Sequence, residues 1–200
     1  MKPRMRIIRV TKPLEKYSDF SHVPKFRMEA ASDRGTRAHR LFSAYAKGLY
    51  IPKIDWDLTG YFQSYKTWYA RYVVRALLVE ERLTDDQVLG VSGQIDLIAE
   101  LRDIYPDRNI IALLDDKTAL QPSSTWQSQI SAYWYGLALK LLPYGKQIEK
   151  AGTIRLNPDG KPAKVDWVGN PWKEFNAWLN AFYAYRHFVK EEKSDDRLQD

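Results

Sequence analysis

Asp96 closes the run Gly93-Gln94-Ile95-Asp96; Asp115-Asp116-Lys117 follows, and Gln129 and Tyr133 come next. These side chains have the types that phosphodiester cleavage needs. Two carboxylates can hold a hard cation, because magnesium takes oxygen ligands in near-octahedral geometry. Such an ion activates water, neutralises phosphate charge and orients the attack. A lysine two residues beyond the second acid can serve the water or the scissile phosphate and stabilise the transition state. Whether it works as a general base depends on how far burial lowers its pKa.

The elements around these residues must bring them together. Ile110-Ile111-Ala112-Leu113-Leu114 is a continuous apolar run ending in Asp115. It predicts a strand buried on both faces at the centre of a sheet. Side chains alternate along a strand, so Asp115 and Lys117 share one face and Asp116 takes the other. Residues 89–101 predict the preceding strand, with Gly93 inside it. If the two strands pair, Asp96 and Asp115 come within reach of one ion. Pro122 to Thr125 predict a helix start. Trp126, Ile130, Tyr133, Trp134, Leu137 and Leu141 then share one helical face. Gln129 and Tyr133 are four apart and therefore neighbours. A glutamine among those aromatics needs a hydrogen-bond partner if it is buried.

The rest of the chain reads as scaffold. An irregular N-terminal segment of about thirty residues holds a short strand over 6–10, a brief helix after Thr11, and a loop over 18–24. A helix is expected from Ser32 or Asp33 to about Lys47, ended by Gly48. Residues 51–57 connect it to a Tyr- and Trp-rich helix over about 58–75. A strand over 76–83 and a turn over 84–87 follow, and a second turn covers 103–109. Residues 151–156 and 163–168 predict a hairpin around Asn157-Pro158-Asp159-Gly160. Pro171 opens a last helix to about Val189, and a charged tail covers 190–200. The expected fold is one α/β domain with a mixed central β-sheet flanked by helices.

Composition narrows the functional classes. Two hundred residues suit one domain with a sizeable core. The absence of cysteine excludes disulfides, thiolate zinc sites, iron–sulfur clusters and cysteine nucleophiles, and fits a cytoplasmic setting. Three histidines make an all-histidine zinc site an unlikely design. The formal charge of +6 and pI near 9.3 favour polyanionic partners. No apolar run approaches the roughly 20 residues of a membrane span. The basic N-terminus lacks the apolar segment and cleavage site of a signal peptide. No Gly-x-x-x-x-Gly-Lys-Ser/Thr motif is present, so any unwinding must come from a partner or be unnecessary.

The ordered set Gly93-x-x-Asp96, Asp115-x-Lys117 and Gln129-x-x-x-Tyr133 resembles the PD-(D/E)XK nuclease superfamily, in its RecB-type and phage exonuclease branch. Gly35 to His39 looks like that branch's earlier Gly-x-x-x-His element, and Glu80 matches a glutamate on the strand before Gly-x-x-Asp. The resemblance spans about 34–133. It implies a restriction-endonuclease-like core. It further implies Asp96, Asp115, Glu80 and His39 as metal ligands, with the Asp116 backbone carbonyl completing the sphere. Lys117 would be the catalytic lysine beside Asp96, Asp115 and Glu80, and Gln129 and Tyr133 would support the site or touch DNA. Glu81 is the rival of Glu80, since the two face opposite sides of one strand. The missing cysteines exclude the iron–sulfur subgroup.

The expected activity is Mg²⁺-dependent DNA hydrolysis, with Mn²⁺ as a substitute, by an exonuclease of phage-type recombination or processing. Three other readings stand beside it: a structure-specific endonuclease, a non-catalytic nucleic-acid-binding module of the same fold, and a Trp-rich protein-interaction scaffold. DNA is the expected partner. A recombination or single-strand-binding protein and a second copy of the chain are further candidates, with no membrane. Arg34, Arg37 and Arg40 lie three apart near His39 and could meet backbone phosphates or form a solvated helix face. Lys66, Arg71 and Arg75, interleaved with Trp68 and Tyr69, are a weaker candidate for strand binding.

Overall fold

The computed structural model describes residues 6–18, 23–51, 53–119 and 121–189. The charged tail from residue 190 and the middle of the loop expected at 18–24 lie outside the described residues. In chain order the elements are β1 (Ile8–Arg9), a 3₁₀ turn (Lys12–Tyr17), α1 (Lys25–Ala46), a second 3₁₀ turn (Trp56–Leu58) and α2 (Thr59–Tyr72). Then come β2 (Val73–Asp85), β3 (Val91–Tyr105) and β4 (Arg108–Lys117). A helical segment follows: α3 (Trp126–Ser131), a π-helical stretch (Ala132–Ala138) and α4 (Leu139–Leu141). After a 3₁₀ turn (Gly145–Gln147) come β5 (Ile148–Arg155), β6 (Lys164–Trp167) and α5 (Pro171–Phe188).

The expected mixed α/β architecture is present. Among the described residues, six strands form one sheet in the order β1-β3-β4-β5-β6, with β2 added on β3. β2 pairs antiparallel with β3 from Val73↔Leu101 to Asp85↔Val91 and so occupies one whole edge of it. β1 and β4 share the other edge. β1 lies parallel to its start, at Val91 and Ser92, and β4 antiparallel to its end, from Leu97 to Tyr105. Residues 93–96 are thus left without a rung on that edge. β4 and β5 run parallel across the helical crossover, and β6 closes the sheet as an antiparallel hairpin strand.

Both faces of the sheet are covered, which is why β4 reads as an unbroken apolar run. On one face α1 and α2 bury Phe42, Tyr65 and Trp68 against Leu97, Ala99, Ala112 and Leu114. On the other, the 126–141 segment and α5 bury Tyr133, Leu137, Trp178 and Phe182 against Ile95, Ile98 and Leu113. Trp178 also donates its indole N–H to the Val10 carbonyl at 2.8 Å, tying α5 to β1.

Several boundaries depart from the sequence reading. α1 begins at Lys25, inside the segment expected to be irregular. Its first turns are exposed, and the large apolar residues there, Phe26 and Met28, lie two apart, so no helical apolar stripe marks them. Asp33 is not a cap but a helical residue whose carboxylate meets Arg37 one turn on, at 2.8 Å. The C-terminal end matches: Gly48 adopts φ +66° and its N–H meets the Tyr45 carbonyl at 3.0 Å. α2 stops at Tyr72 because the β-branched pair Val73-Val74 starts β2 directly. The turn expected over 103–109 shrinks to Pro106 and Asp107. Asn170 caps α5 by accepting the Lys173 N–H at 3.0 Å, with Pro171 in the first turn as expected.

Candidate metal centre

The candidate site sits where β4 parts from β3. Their ladder ends at Leu97↔Leu114. At the next position Asp96 replaces the missing rung, since its Oδ2 accepts the Asp116 N–H at 2.8 Å. β4 stays extended through Lys117 because β5 still pairs with it, up to Lys117↔Arg155. The sheet therefore splays at two acidic residues while both remain on rigid strands. Gly93 completes the opening. A Cβ there would lie 2.5 Å from Cε1 of Tyr133, so only glycine lets the ring rest on β3. Gly93→Ala is expected to destabilise the fold by about 1–3 kcal/mol in a urea titration.

Three elements then converge. α1 brings His39, β2 brings Glu80 and β3 brings Asp96. His39 Nδ1 lies 3.3 Å from Glu80 Oε1 and 3.3 Å from Asp96 Oδ1. One ligand atom from each of the three falls within 4.8 Å of the others, which is the span of a single ion's coordination shell. Glu80 has φ +49°, the one non-glycine in the left-handed region among the described residues. The register is unbroken on either side, Val79↔Leu97 and Glu81↔Ile95. A strained backbone of this kind costs about 1–3 kcal/mol and persists only where its surroundings enforce it. Of the two rival glutamates, Glu80 lines the cleft and Glu81 is exposed outside its lining.

On the adjacent face, Lys117 Nζ lies 2.6 Å from Asp115 Oδ2. The alternation reading of that pair therefore holds. Gln129 Nε2 donates to Asp115 Oδ1 at 3.3 Å and to Tyr133 Oη at 3.1 Å, the partners its burial among aromatics required. Lys117 also sits 5.8 Å from the centre of the Trp126 ring, a cation–π contact that the sequence reading did not foresee. Asp115 is thus held by Lys117 and Gln129 and stands outside the His39–Glu80–Asp96 cluster. Asp116 takes the other face of β4 by strand alternation and is 4 % exposed.

The electrostatics are those of an acid-rich pocket. Burial opposes the charge on His39, but Asp96 and Glu80 outweigh it and push its pKa up to about 11. Burial likewise opposes ionisation of Asp96, yet His39, Lys117 and the Asp116 N–H hold it below the usual carboxylate range. Burial pushes Asp115 up despite Lys117, and pushes Asp116 well up, with Asp96 adding to the effect. Lys117 is raised against its own burial by Asp115 and Asp96, so it stays an ammonium. Three carboxyl groups, those of Glu80, Asp96 and Asp115, thus line the cleft with the two cationic side chains His39 and Lys117. His39, Glu80 and Asp96 are a set of side chains that could hold a divalent cation. The donor set fits one: two carboxylates and an imidazole suit Mn²⁺ at least as well as Mg²⁺, because magnesium prefers oxygen alone.

The cleft has a volume of about 650 Å³ and opens between α1 and the splayed strands. Ser32, Gly35, Thr36, His39, Arg40 and Ser43 line it from one stripe of α1. Of the three expected arginines, Arg40 faces this cleft. Arg34 packs its guanidinium 5.9 Å from the Tyr61 ring centre. Arg37, open between a phosphate contact and a solvated helix face, is engaged within the chain. Its guanidinium meets Asp33, Asp55 and Asp57, each at 2.8 Å, and pins the α1–α2 connection. Gln94 also lines the cleft. The sequence reading passed over it as a spacer inside Gly93-x-x-Asp96, although strand alternation puts it on Glu80's side across the β2–β3 pair.

No family model matches the chain, and no curated protein matches it. Among solved structures, one described as "Crystal structure of SSO0001" is similar at 12 % identity and a TM-score of 0.45, covering 96 % of this chain and 80 % of that one. A likeness of that degree assigns neither family nor function. No helix among the described residues is long and apolar enough to cross a membrane.

Proposed function

We propose that this protein is a metal-dependent DNA nuclease. The observation that carries the reading is the convergence, in one open cleft, of the His39–Glu80–Asp96 cluster with the Asp115–Lys117 pair. His39, Glu80 and Asp96 would hold the ion, which when bound supplies water activation and phosphate charge neutralisation. His39 must give up its proton to act as a ligand, so ion binding releases one. Lys117, kept charged by its acidic neighbours, contacts the scissile phosphate and stabilises its developing negative charge instead of serving as a base. Asp115 aims that ammonium, and Gln129, braced on Tyr133, aims Asp115. Arg40 adds a positive charge at the mouth for the nucleic-acid backbone. The ordered motifs resemble those of exonucleases, so DNA ends are the proposed target.

The test is cleavage of linear and circular duplexes with Mg²⁺, Mn²⁺ or EDTA. Metal-dependent loss of linear DNA alone supports an exonuclease, and nicking of circles an endonuclease. Asp115→Ala and Lys117→Ala should each abolish cleavage while circular dichroism shows an intact fold. Wild-type rates in both variants would sink the assignment. Salt-sensitive DNA binding without cleavage would leave a non-catalytic module instead.

A further inference from the structure

We infer that Gln94 is a positioning residue that holds Glu80 in its metal-binding orientation. The inference rests on the metal-centre reading above. Gln94 Nε2 donates to Glu80 Oε2, and Glu80 Oε1 is the oxygen turned to His39. One carboxylate oxygen is thereby occupied and the other presented. The amide's own orientation is set from behind, because Arg82 Nη2 donates to Gln94 Oε1 at 3.4 Å. A guanidinium only donates, so the amide oxygen must face Arg82 and its NH₂ must face Glu80. The backbone supplies this relay. Arg82 and Gln94 are direct cross-strand partners, and Glu80 is the diagonal neighbour two residues before Arg82.

The same relay accounts for the strain at Glu80. Its backbone takes φ +49° at the point where its carboxylate comes within one ion's span of His39 and Asp96. Glutamate has no intrinsic preference for that conformation. The hydrogen bond from the partner strand, on the oxygen that His39 does not meet, is an interaction that would help to hold it. The consequence reaches the ion: ligating carboxylates rely on such hydrogen bonds, and losing one typically weakens metal affinity 10–100-fold.

The experiment is Mn²⁺ binding by electron paramagnetic resonance, in the absence of DNA, on the full chain and on Gln94→Met, Gln94→Glu and Arg82→Met. Gln94→Met keeps the length and loses the donor, and should weaken Mn²⁺ about tenfold. Gln94→Glu sets a second carboxylate against Glu80 and should alter the Mn²⁺ spectrum as well as the affinity. Arg82→Met should weaken binding less than Gln94→Met, since the amide remains. Thermal unfolding without metal separates these effects from loss of fold. Equal Mn²⁺ affinity in wild type, Gln94→Met and Gln94→Glu overturns this inference alone. In the duplex cleavage assay, an altered KM for DNA with unchanged Mn²⁺ affinity in the same variant also overturns it, making Gln94 a substrate contact. No Mn²⁺ binding by the unsubstituted protein overturns the metal centre and this inference together.

Discussion

Asp85, at the end of β2, and Asp116, near the end of β4, are each 4 % exposed, yet their surroundings treat them in opposite ways. Asp85 accepts backbone N–H groups from Gln87 at 3.1 Å, Val88 at 2.9 Å and Leu89 at 3.0 Å. Burial alone would raise its pKa, but those donors, with Lys140 at 3.9 Å, outweigh it and hold the carboxyl below its usual range. Asp116 has an oxygen with no hydrogen-bond partner among the described residues, and burial beside Asp96 pushes it well up. Burial of an acid therefore does not mark a site. What marks one is a carboxylate cluster whose demand for positive charge the protein leaves unmet. Asp85 organises a turn, whereas Asp96 lies within one ion's span of His39 and Glu80, with Asp115 and Asp116 buried beside it.

The largest effect that would separate the two regions is on activity. Asp96→Asn should lower metal-dependent cleavage by at least about 100-fold, while Asp85→Asn leaves the rate per folded molecule unchanged. Parallel losses in a quantitative cleavage assay would break the distinction. Next in size is stability. Asp85→Ala should lose about 1–3 kcal/mol at pH 7 in urea titration, because three N–H groups are orphaned. The folded pKa of Asp85 is depressed, so its contribution is complete above the unfolded carboxylate value. It fades as pH falls through the folded one. The gap between wild type and variant should narrow on acidification below about pH 4. A gap of constant size from pH 7 to pH 3 would count against a charged Asp85.

The smallest expected effect has the opposite sign. The folded pKa of Asp116 is raised, so its proton is held in the native state and the unfolded chain ionises first. Asp116 then lowers stability as pH rises above the unfolded carboxylate value. Asp116→Asn removes that titration and should stabilise the protein at pH 7, a gain that disappears toward pH 4. Calorimetric melting at the two pH values measures it. Destabilisation at pH 7 would place Asp116 with Asp85, as a carboxylate the fold needs ionised.

Much of the site was legible in the chain because its parts are close in sequence. Asp115, Asp116 and Lys117 are consecutive, so strand alternation alone assigns their faces. Gln129 and Tyr133 are one helical turn apart, so neighbour rules alone pair them. The buried run before Asp115 announces β4. The start of α1 was not legible, because its exposed first turns place Phe26 and Met28 two apart and carry no helical apolar stripe. Nor was the end of α2, where an aromatic helix passes straight into a Val-Val strand. Arg37 looked like a phosphate contact because three arginines at helical spacing resemble one. Asp55 and Asp57, which occupy it, lie 18 and 20 residues away and meet it only after the connection folds back.

By itself, then, the sequence determined the local arrangement: which residues alternate on a strand, which share a helical face, and which chemistry their types allow. Only the tertiary structure decided who meets whom across 41 residues, as His39 and Glu80 do. It also decided that Asp115 turns to Lys117 while Asp96 joins the triad, and that Asp85 is satisfied where Asp116 is not. The physical reason is that charge, pKa and metal competence depend on burial and on donors within a few ångströms. Those are set by long-range packing, which local periodicity does not encode.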